Sequence, residues 1–406
     1  MSYARGTGQV DYEERIDFAK LRNERVKKTV EQVKSHDLDA VLVWREENVR
    51  YLSSLRVQLL MYRGPTQSAV LLSSKGDLAL FVSGGEIERV KKTMPWIKEV
   101  HPISMLEEES QVKQFSKDVL QGVLKEHGLL GGKIGIDAMT FNLMDAYQRD
   151  LGGIMVRDGN RPLFEARVTK TGEEIKVIEE ATALADTVTE RGLASIRPGI
   201  REYGVVSEVL HELHTQGGEF AHVAVPFVAS GERMSPPTRF ATDKIIRSGD
   251  LVFIDIGASW NGYFGDVGRT SICGSPSKKQ KEIYTAVYES QMEGIKSMRA
   301  GVTNEDVALV YRNKAAEHGL EKNFIYLFIG HGIGISPNEP PYIGEPIPGA
   351  RKVTLKPGMV FAMEPLIWVP DVRGGGGVRI EDMILITEAG PRTLSRIPYE
   401  EKLLTK

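Results

Sequence analysis

Charged side chains dominate residues 11–35, and apolar ones recur among them at Ile16, Leu21, Val26, Val30 and Val33, a spacing that predicts an amphipathic surface helix. Short apolar, β-branched runs follow at 40–44, 68–72 and 78–82, the last two separated by the turn Ser73-Ser-Lys-Gly76, and these read as strands. A polar helical stretch near 107–128, a strand at 134–137 and a helix from about 139 to 151 continue the alternation. Residues 1–168 therefore read as one α/β domain. No catalytic constellation stands out in it, and Asp137, at a strand end, is expected to be a solvated carboxylate.

Past Thr169 the pattern changes. Thr171-Gly-Glu-Glu174 has the spacing of a capping box, in which each side chain satisfies the other residue's free N–H, and Ile175, Ile178, Ala185 and Val188 mark a helix face reaching about Gly192. An internal repeat follows. Ser195, Gly199, Ile200, Val205 and Gly217 are matched by Ser297, Gly301, Val302, Val307 and Gly319, each 102 residues later. Each copy is followed by a turn and an apolar strand with a carboxylate six residues after its glycine, Gly249 to Asp255 and Gly358 to Glu364. A second strand has a carboxylate four residues after a glycine, Gly262 to Asp266 and Gly377 to Glu381. Residues 169–406 are thus expected to form a pseudo-twofold α+β domain around a central site.

Composition narrows the classes. The 406 residues suggest two or three domains at roughly 150 residues each. With 52 basic against 55 acidic side chains, the net charge of -3 gives no reason to expect nucleic acid or an anionic membrane as partner. No apolar run approaches the ~18 residues of a membrane span, and no signal-peptide core is visible. A single cysteine, Cys273, excludes an intramolecular disulfide and Cys-based metal sites, so a reducing, cytoplasmic setting is expected.

Four carboxylates directed into one pseudo-symmetric core would repel and suffer desolvation. Two divalent cations are the simplest resolution. His331, in Ile329-Gly-His-Gly-Ile-Gly334, supplies an imidazole, and an oxygen-rich set with one nitrogen suits Mn, Fe, Co or Zn. Arg379 precedes Glu381 by two residues on the same strand face, where it either receives a substrate carboxylate or pairs with a ligand carboxylate. The four glycines 374–377 lack the context of a phosphate loop and are expected to form a flexible hairpin loop.

The order Asp255, Asp266, His331, Glu364, Glu381, with the flanks Asp-Ile-Gly-Ala (255–258), Gly-Tyr-Phe-Gly-Asp-Val-Gly-Arg-Thr (262–270), Gly-His-Gly-Ile-Gly (330–334) and Gly-Val-Arg-Ile-Glu-Asp (377–382), resembles the five-ligand signature of the creatinase/prolidase/methionine aminopeptidase superfamily, the pita-bread metalloenzymes. The resemblance covers residues 170–406, and more loosely extends to a creatinase-type N-terminal domain. It implies two divalent ions, one held by Asp255, the other by His331 and Glu364, with Asp266 and Glu381 bridging. It further implies Glu364 as proton shuttle, a dipeptide or other small substrate, and a homodimer; the apolar stretch 52–62 is the sequence's own candidate for the contact.

The departures from that family bear on substrate. Aligned on Asp243-Lys244, Thr238-Arg239 stands where family peptidases carry a histidine, and Asn338 replaces a second one. Neither Thr238 nor Asn338 can be cationic, which argues against ordinary Xaa-Pro cleavage and against creatine hydrolysis. His222 is a candidate stand-in, and Arg239 and Arg233 are candidates to line the pocket for an anionic substrate. Three readings remain: a C–N hydrolase of the Xaa-Pro dipeptidase or aminopeptidase type; a non-peptidase enzyme on the same scaffold, creatinase-like or like the metal-dependent dimethylsulfoniopropionate lyases, whose extra Asp beside the first ligand is absent here; and a binding protein, disfavoured by retention of all five ligand types.

Overall fold

The computed structural model describes residues 15–56, 67–103, 106–151, 153–346 and 351–405. Two compact units divide the described residues, one reaching to Arg167 and the other beginning at Val168. Residues 11–14 of the first expected helix, and 57–62 of the apolar stretch suggested for a dimer contact, lie outside the described residues.

The first unit is built on a six-stranded sheet comprising β1 (Ala40–Val43), β2 (Ser68–Ser73), β3 (Leu78–Ser83), β4 (Glu99–Ile103), β5 (Lys133–Ile136) and β6 (Met155–Asp158), in the order β4-β3-β2-β1-β5-β6. β1, β2 and β3 pair antiparallel, while β4, β5 and β6 join in parallel. β4 and β6 escape the hydropathy pattern because they are the half-exposed edges of the sheet.

Within the expected stretch 11–35 the helix runs Phe18–Ser35, capped by Asp17, and buries Phe18, Leu21, Arg25, Thr29 and Val33. Val26 and Val30 lie at the edge of that face. The buried Arg25 reaches Ser54 Oγ at 2.5 Å and lies over the Tyr51 ring, contacts that help a cation take an apolar residue's place on this face. Asp137 is corrected outright: it is buried, and accepts from Trp44 N at 2.7 Å, Arg45 N at 3.1 Å and Asn48 Nδ2 at 2.7 Å at the start of the helix Glu46–Ser53. Burial raises the Asp137 carboxyl above the ordinary range, and these hydrogen bonds oppose it only in part.

In the second unit each half has a helix pair, Gly172–Ser195 with Glu202–Thr215 and Lys278–Ser297 with Asn304–Glu317. Three of these four helices begin with reciprocal caps: Thr171/Glu174, Ser277/Gln280 and Thr303/Asp306. The first half adds a three-stranded antiparallel sheet of β7 (Phe227–Ser230), β8 (Leu251–Trp260) and β9 (Tyr263–Ile272). The second adds β10 (Gly330–Gly332), β11 (Glu339–Ile343), β12 (Val360–Met363), β13 (Leu366–Trp368), β14 (Gly377–Arg379), β15 (Asp382–Thr387) and β16 (Gly390–Thr393). These form a five-stranded sheet β11-β10-β12-β15-β16 and the pair β13-β14.

The halves differ where it matters for the site. β8 and β9 run unbroken through Asp255 and Asp266, whereas Glu364 falls between β12 and β13 and Glu381 between β14 and β15. Residues 374–377 do close the hairpin between β13 and β14, Gly377 pairing with Trp368, and only the expected looseness is corrected: the loop is a close backbone crossing. A Cβ at Gly375 would lie 2.3 Å from Gly231 O, and one at Gly377 would lie 1.9 Å from Met234 O. Gln280 Nε2 bonds the Gly249 and Gly374 carbonyls at 3.1 Å each, tying this crossing to the helix Lys278–Ser297.

Candidate metal centre

Strand pairing brings the five candidates together. Asp266 on β9 faces Gly257 on β8, so Asp255, two residues from Gly257, projects from the same sheet face. Glu381 N donates to Gly268 O at 2.9 Å, an isolated bridge that hangs the second half's carboxylate on the first half's strand. Glu364 N donates to Ile329 O at 2.7 Å, beside His331 on β10. Three overlapping groups result, each with its donor atoms within 4.8 Å of one another: His222, Asp255 and Asp266; Asp266, His331 and Glu381; Asp255, Glu364 and Glu381.

All five expected ligands are buried, and His222 is only partly so. His331 Nδ1 lies 2.9 Å from Gly332 O, and its ring stacks on Phe328 with centroids 5.7 Å apart. Since the carbonyl can only accept, Nδ1 donates, and Nε2 presents its lone pair 3.5 Å from Glu364 Oε1. Arg379 Nη1 lies 2.8 Å from Glu364 Oε2 and 3.2 Å from Asp255 Oδ2, with its guanidinium over the Phe253 ring. Of the two roles open to Arg379, these contacts match pairing with the carboxylates. Burial alone would lower the Arg379 pKa; Glu364, Asp255 and Glu381 outweigh it and raise it.

One guanidinium does not balance four carboxylates. Burial, then the charge of Asp255, pushes the Asp266 carboxyl well above the usual range. Burial, then Asp255 and Asp266, does the same to Glu381. Asp266 Oδ1 and Glu381 Oε2 are moreover buried with no hydrogen-bond partner. Orphaned anionic oxygens of this kind are costly unless a cation takes them, so the residues fit a divalent-ion centre.

The remaining sequence candidates stand further out. Thr238 is exposed, its Oγ1 donating to Arg233 O at 3.1 Å. Arg239 is exposed and lies over the Phe227 ring at 5.7 Å. Asn338 is exposed between β10 and β11, its carbonyl accepting from Ser336 Oγ. Arg233 is half-buried, its Nε 3.2 Å from a Glu202 carboxylate oxygen and its Nη2 donating to the Phe240 carbonyl.

Sequence reasoning missed the network behind the site. Arg269 Nη2 pairs with Asp382 Oδ1 at 2.8 Å, while its Nη1 bonds Gly268 O at 2.8 Å and Glu381 O at 2.5 Å. Gln291 Nε2, Ser395 Oγ and Tyr399 OH also donate to the Asp382 carboxylate. Burial works to raise the Asp382 carboxyl, but Arg269 and these hydrogen bonds hold it below the ordinary range. The signal was present: Arg269 lies in the quoted run 262–270, and Asp382 directly follows Glu381 on the opposite face.

The chain belongs to metallopeptidase family M24, whose model matches residues 176–388, and the creatinase/prolidase N-terminal domain model matches residues 25–169. It is a metal-dependent hydrolase with the two-domain, creatinase-like architecture and a C-terminal pita-bread domain. Among its relatives, the Xaa-Pro dipeptidase of Pyrococcus horikoshii is 32% identical over 94% of this chain and 99% of its own, and that of Pyrococcus furiosus is 30% identical over 93% and 99%. The solved structure of a Xaa-Pro dipeptidase from Bacillus anthracis superimposes with a TM-score of 0.77 at 28% identity, covering 93% of this chain and 99% of the other. Among the described residues, no helix is long and apolar enough to cross a membrane.

Proposed function

We propose that the chain hydrolyses a C–N bond, peptide or amide, of a small substrate at a dinuclear centre in the domain 169–406, which follows in sequence an N-terminal domain of residues 1–168. Asp255 would hold one ion, His331 and Glu364 the other, and Asp266 and Glu381 both. The observation that carries this reading is the pair of buried, unpartnered oxygens, Asp266 Oδ1 and Glu381 Oε2, on the two residues assigned to bridge. Two divalent ions there, whether Mn, Fe, Co or Zn, supply hydroxide near neutral pH and polarise a bound carbonyl.

The chain's own groups do the rest. Arg379 offsets part of the carboxylate charge and fixes the rotamers of Asp255 and Glu364. Glu364 takes the proton of the attacking water and passes it to the leaving nitrogen. Thr238 and Asn338 offer no cation where family peptidases use histidines, so Xaa-Pro dipeptides are expected to be poorer substrates than a small, anionic amide. Arg239, on the Phe227 face, is the group suited to meet the substrate's negative charge. The same two replacements favour a second reading, a non-peptidase enzyme of lyase or creatinase type on this scaffold.

Chelation, metal analysis and a substrate panel test the proposal. Two ions per chain, loss of activity on chelation and recovery on reloading are expected, with Asp266→Asn and Glu381→Gln losing more metal than Asp255→Asn. A metal-free, fully active protein refutes the dinuclear reading. Amine release identifies the hydrolase, and an alkene product the lyase. A homodimer is part of the proposal, and a monomer by light scattering at micromolar concentration removes it.

A further inference from the structure

Two histidines stand at the carboxylate cluster in opposite hydrogen-bonding states. The Nδ1 atom of His331 faces a carbonyl, so its proton is on Nδ1 and its Nε2 lone pair is free. In His222 the Gly257 backbone N–H points at Nδ1 across 2.5 Å. A backbone N–H can only donate, so this Nδ1 accepts and the ring proton resides on Nε2. His222 is therefore a donor at its far edge, with no Nε2 lone pair to offer a cation.

Its position is built into the fold. Ala221 bridges to Ala258, and His222 N donates to Gly257 O at 2.7 Å, extending the edge of β8 beyond β7. The missing side chain of Gly257 makes the space: a Cβ there would lie 2.7 Å from both Cβ and Nδ1 of His222. Phe227 holds the ring edge-on, with centroids 5.3 Å apart. One ring nitrogen lies within 4.8 Å of oxygens of Asp255 and Asp266, yet His222 is partly exposed where those carboxylates are buried. It stands at the less buried edge of the cluster.

We propose that His222 donates its Nε2–H to the substrate carbonyl oxygen as negative charge develops there, supplying from a different point in the chain an imidazole donor in place of the histidines that Thr238 and Asn338 replace. This rests on the hydrolase reading above. Donors aimed at a developing oxyanion are worth roughly a hundredfold or more in rate, which makes one relocated donor consequential.

The experiment uses the full-length, metal-loaded protein. In the Zn-loaded, histidine-15N-labelled form, side-chain NMR reads the proton position, with His222 assigned by the loss of its signal in His222→Gln. A proton on Nε2 is expected, and one on Nδ1 overturns the proposal. Metal content equal to the parent's is expected in His222→Ala, and loss of an ion overturns the proposal in favour of a ligand role. With Ala-Pro as probe and Mn loaded, His222→Ala is expected to lower kcat roughly a hundredfold with little change in KM. His222→Gln, which keeps an N–H at similar reach, should recover part of that loss. An unchanged kcat in His222→Ala overturns the proposal. A parent enzyme that leaves Ala-Pro intact counts against the peptidase reading of function, while proton position and metal content still decide the state of His222.

Discussion

Arg269→Met removes the cation from a site where almost everything depends on it. Asp382, 1% exposed at its side chain, loses its partner at 2.8 Å, and the carbonyls of Gly268, Glu381 and Ile397 each lose a donor. Breaking a buried pair from one side costs about 3–5 kcal/mol, because an uncompensated charge stays behind. For a unit of this size that is a fall in Tm of about 6–20 °C. Scanning calorimetry, with and without divalent ions, measures it. Adding Asp382→Asn to Arg269→Met should recover more than half the loss, since the stranded charge is then gone. The pH dependence has a definite sign. A carboxyl held below its unfolded value stabilises the fold above about pH 4, and that contribution disappears as pH falls through the folded value. The gap between parent and Arg269→Met should therefore narrow on acidification below about pH 4. A Tm within about 2 °C of the parent at neutral pH would show that the pair contributes nothing of this size.

Asp186, which accepts from Arg396 N and Ile397 N, is pushed up to about 6 by burial, and those hydrogen bonds only partly oppose it. Its charged form is thus penalised above pH 6, and Asp186→Asn should gain about 1 kcal/mol at pH 8 and nothing at pH 4 in chemical denaturation; an equal effect at both excludes this cause. Thr238→His with Asn338→His should raise dipeptide cleavage in a steady-state assay if the scaffold is otherwise competent. A parent enzyme that already prefers Xaa-Pro dipeptides refutes the argument from the replaced histidines.

Much of the architecture was legible because local pattern and global packing agree. The glycine-to-carboxylate spacings of the repeat located Asp255, Asp266, Glu364 and Glu381 before any pairing was known, since turn chemistry and strand alternation are local. The capping box at Thr171 marked its helix start for the same reason. What escaped was set by contacts distant in sequence. Asp137 looked solvated because nothing near it in the chain announces the amides of Trp44 and Arg45. The role of Arg379 depends on where Asp255, 124 residues away, arrives. The glycines 374–377 resembled a loose loop because composition does not distinguish freedom from crowding. His222 offered no motif; its place follows from one bridge to Ala258.

The unequal halves of the second unit have a consequence for its ancestry and for its engineering. One copy of the repeat carries its aspartates inside continuous ladders, and the other carries its glutamates at interruptions, with Glu381 pinned to the first copy's Gly268. Two first copies placed side by side would have no strand break to seat a glutamate and no counterpart of His331. Two second copies would lack the ladder from which Glu381 takes its register. Whatever symmetric arrangement the duplication began from, the present centre is a heterodimer of half-domains joined in one chain. Chimeras that exchange whole halves should fold locally yet lose the centre, whereas exchanges confined to the helix pairs leave both kinds of strand in place.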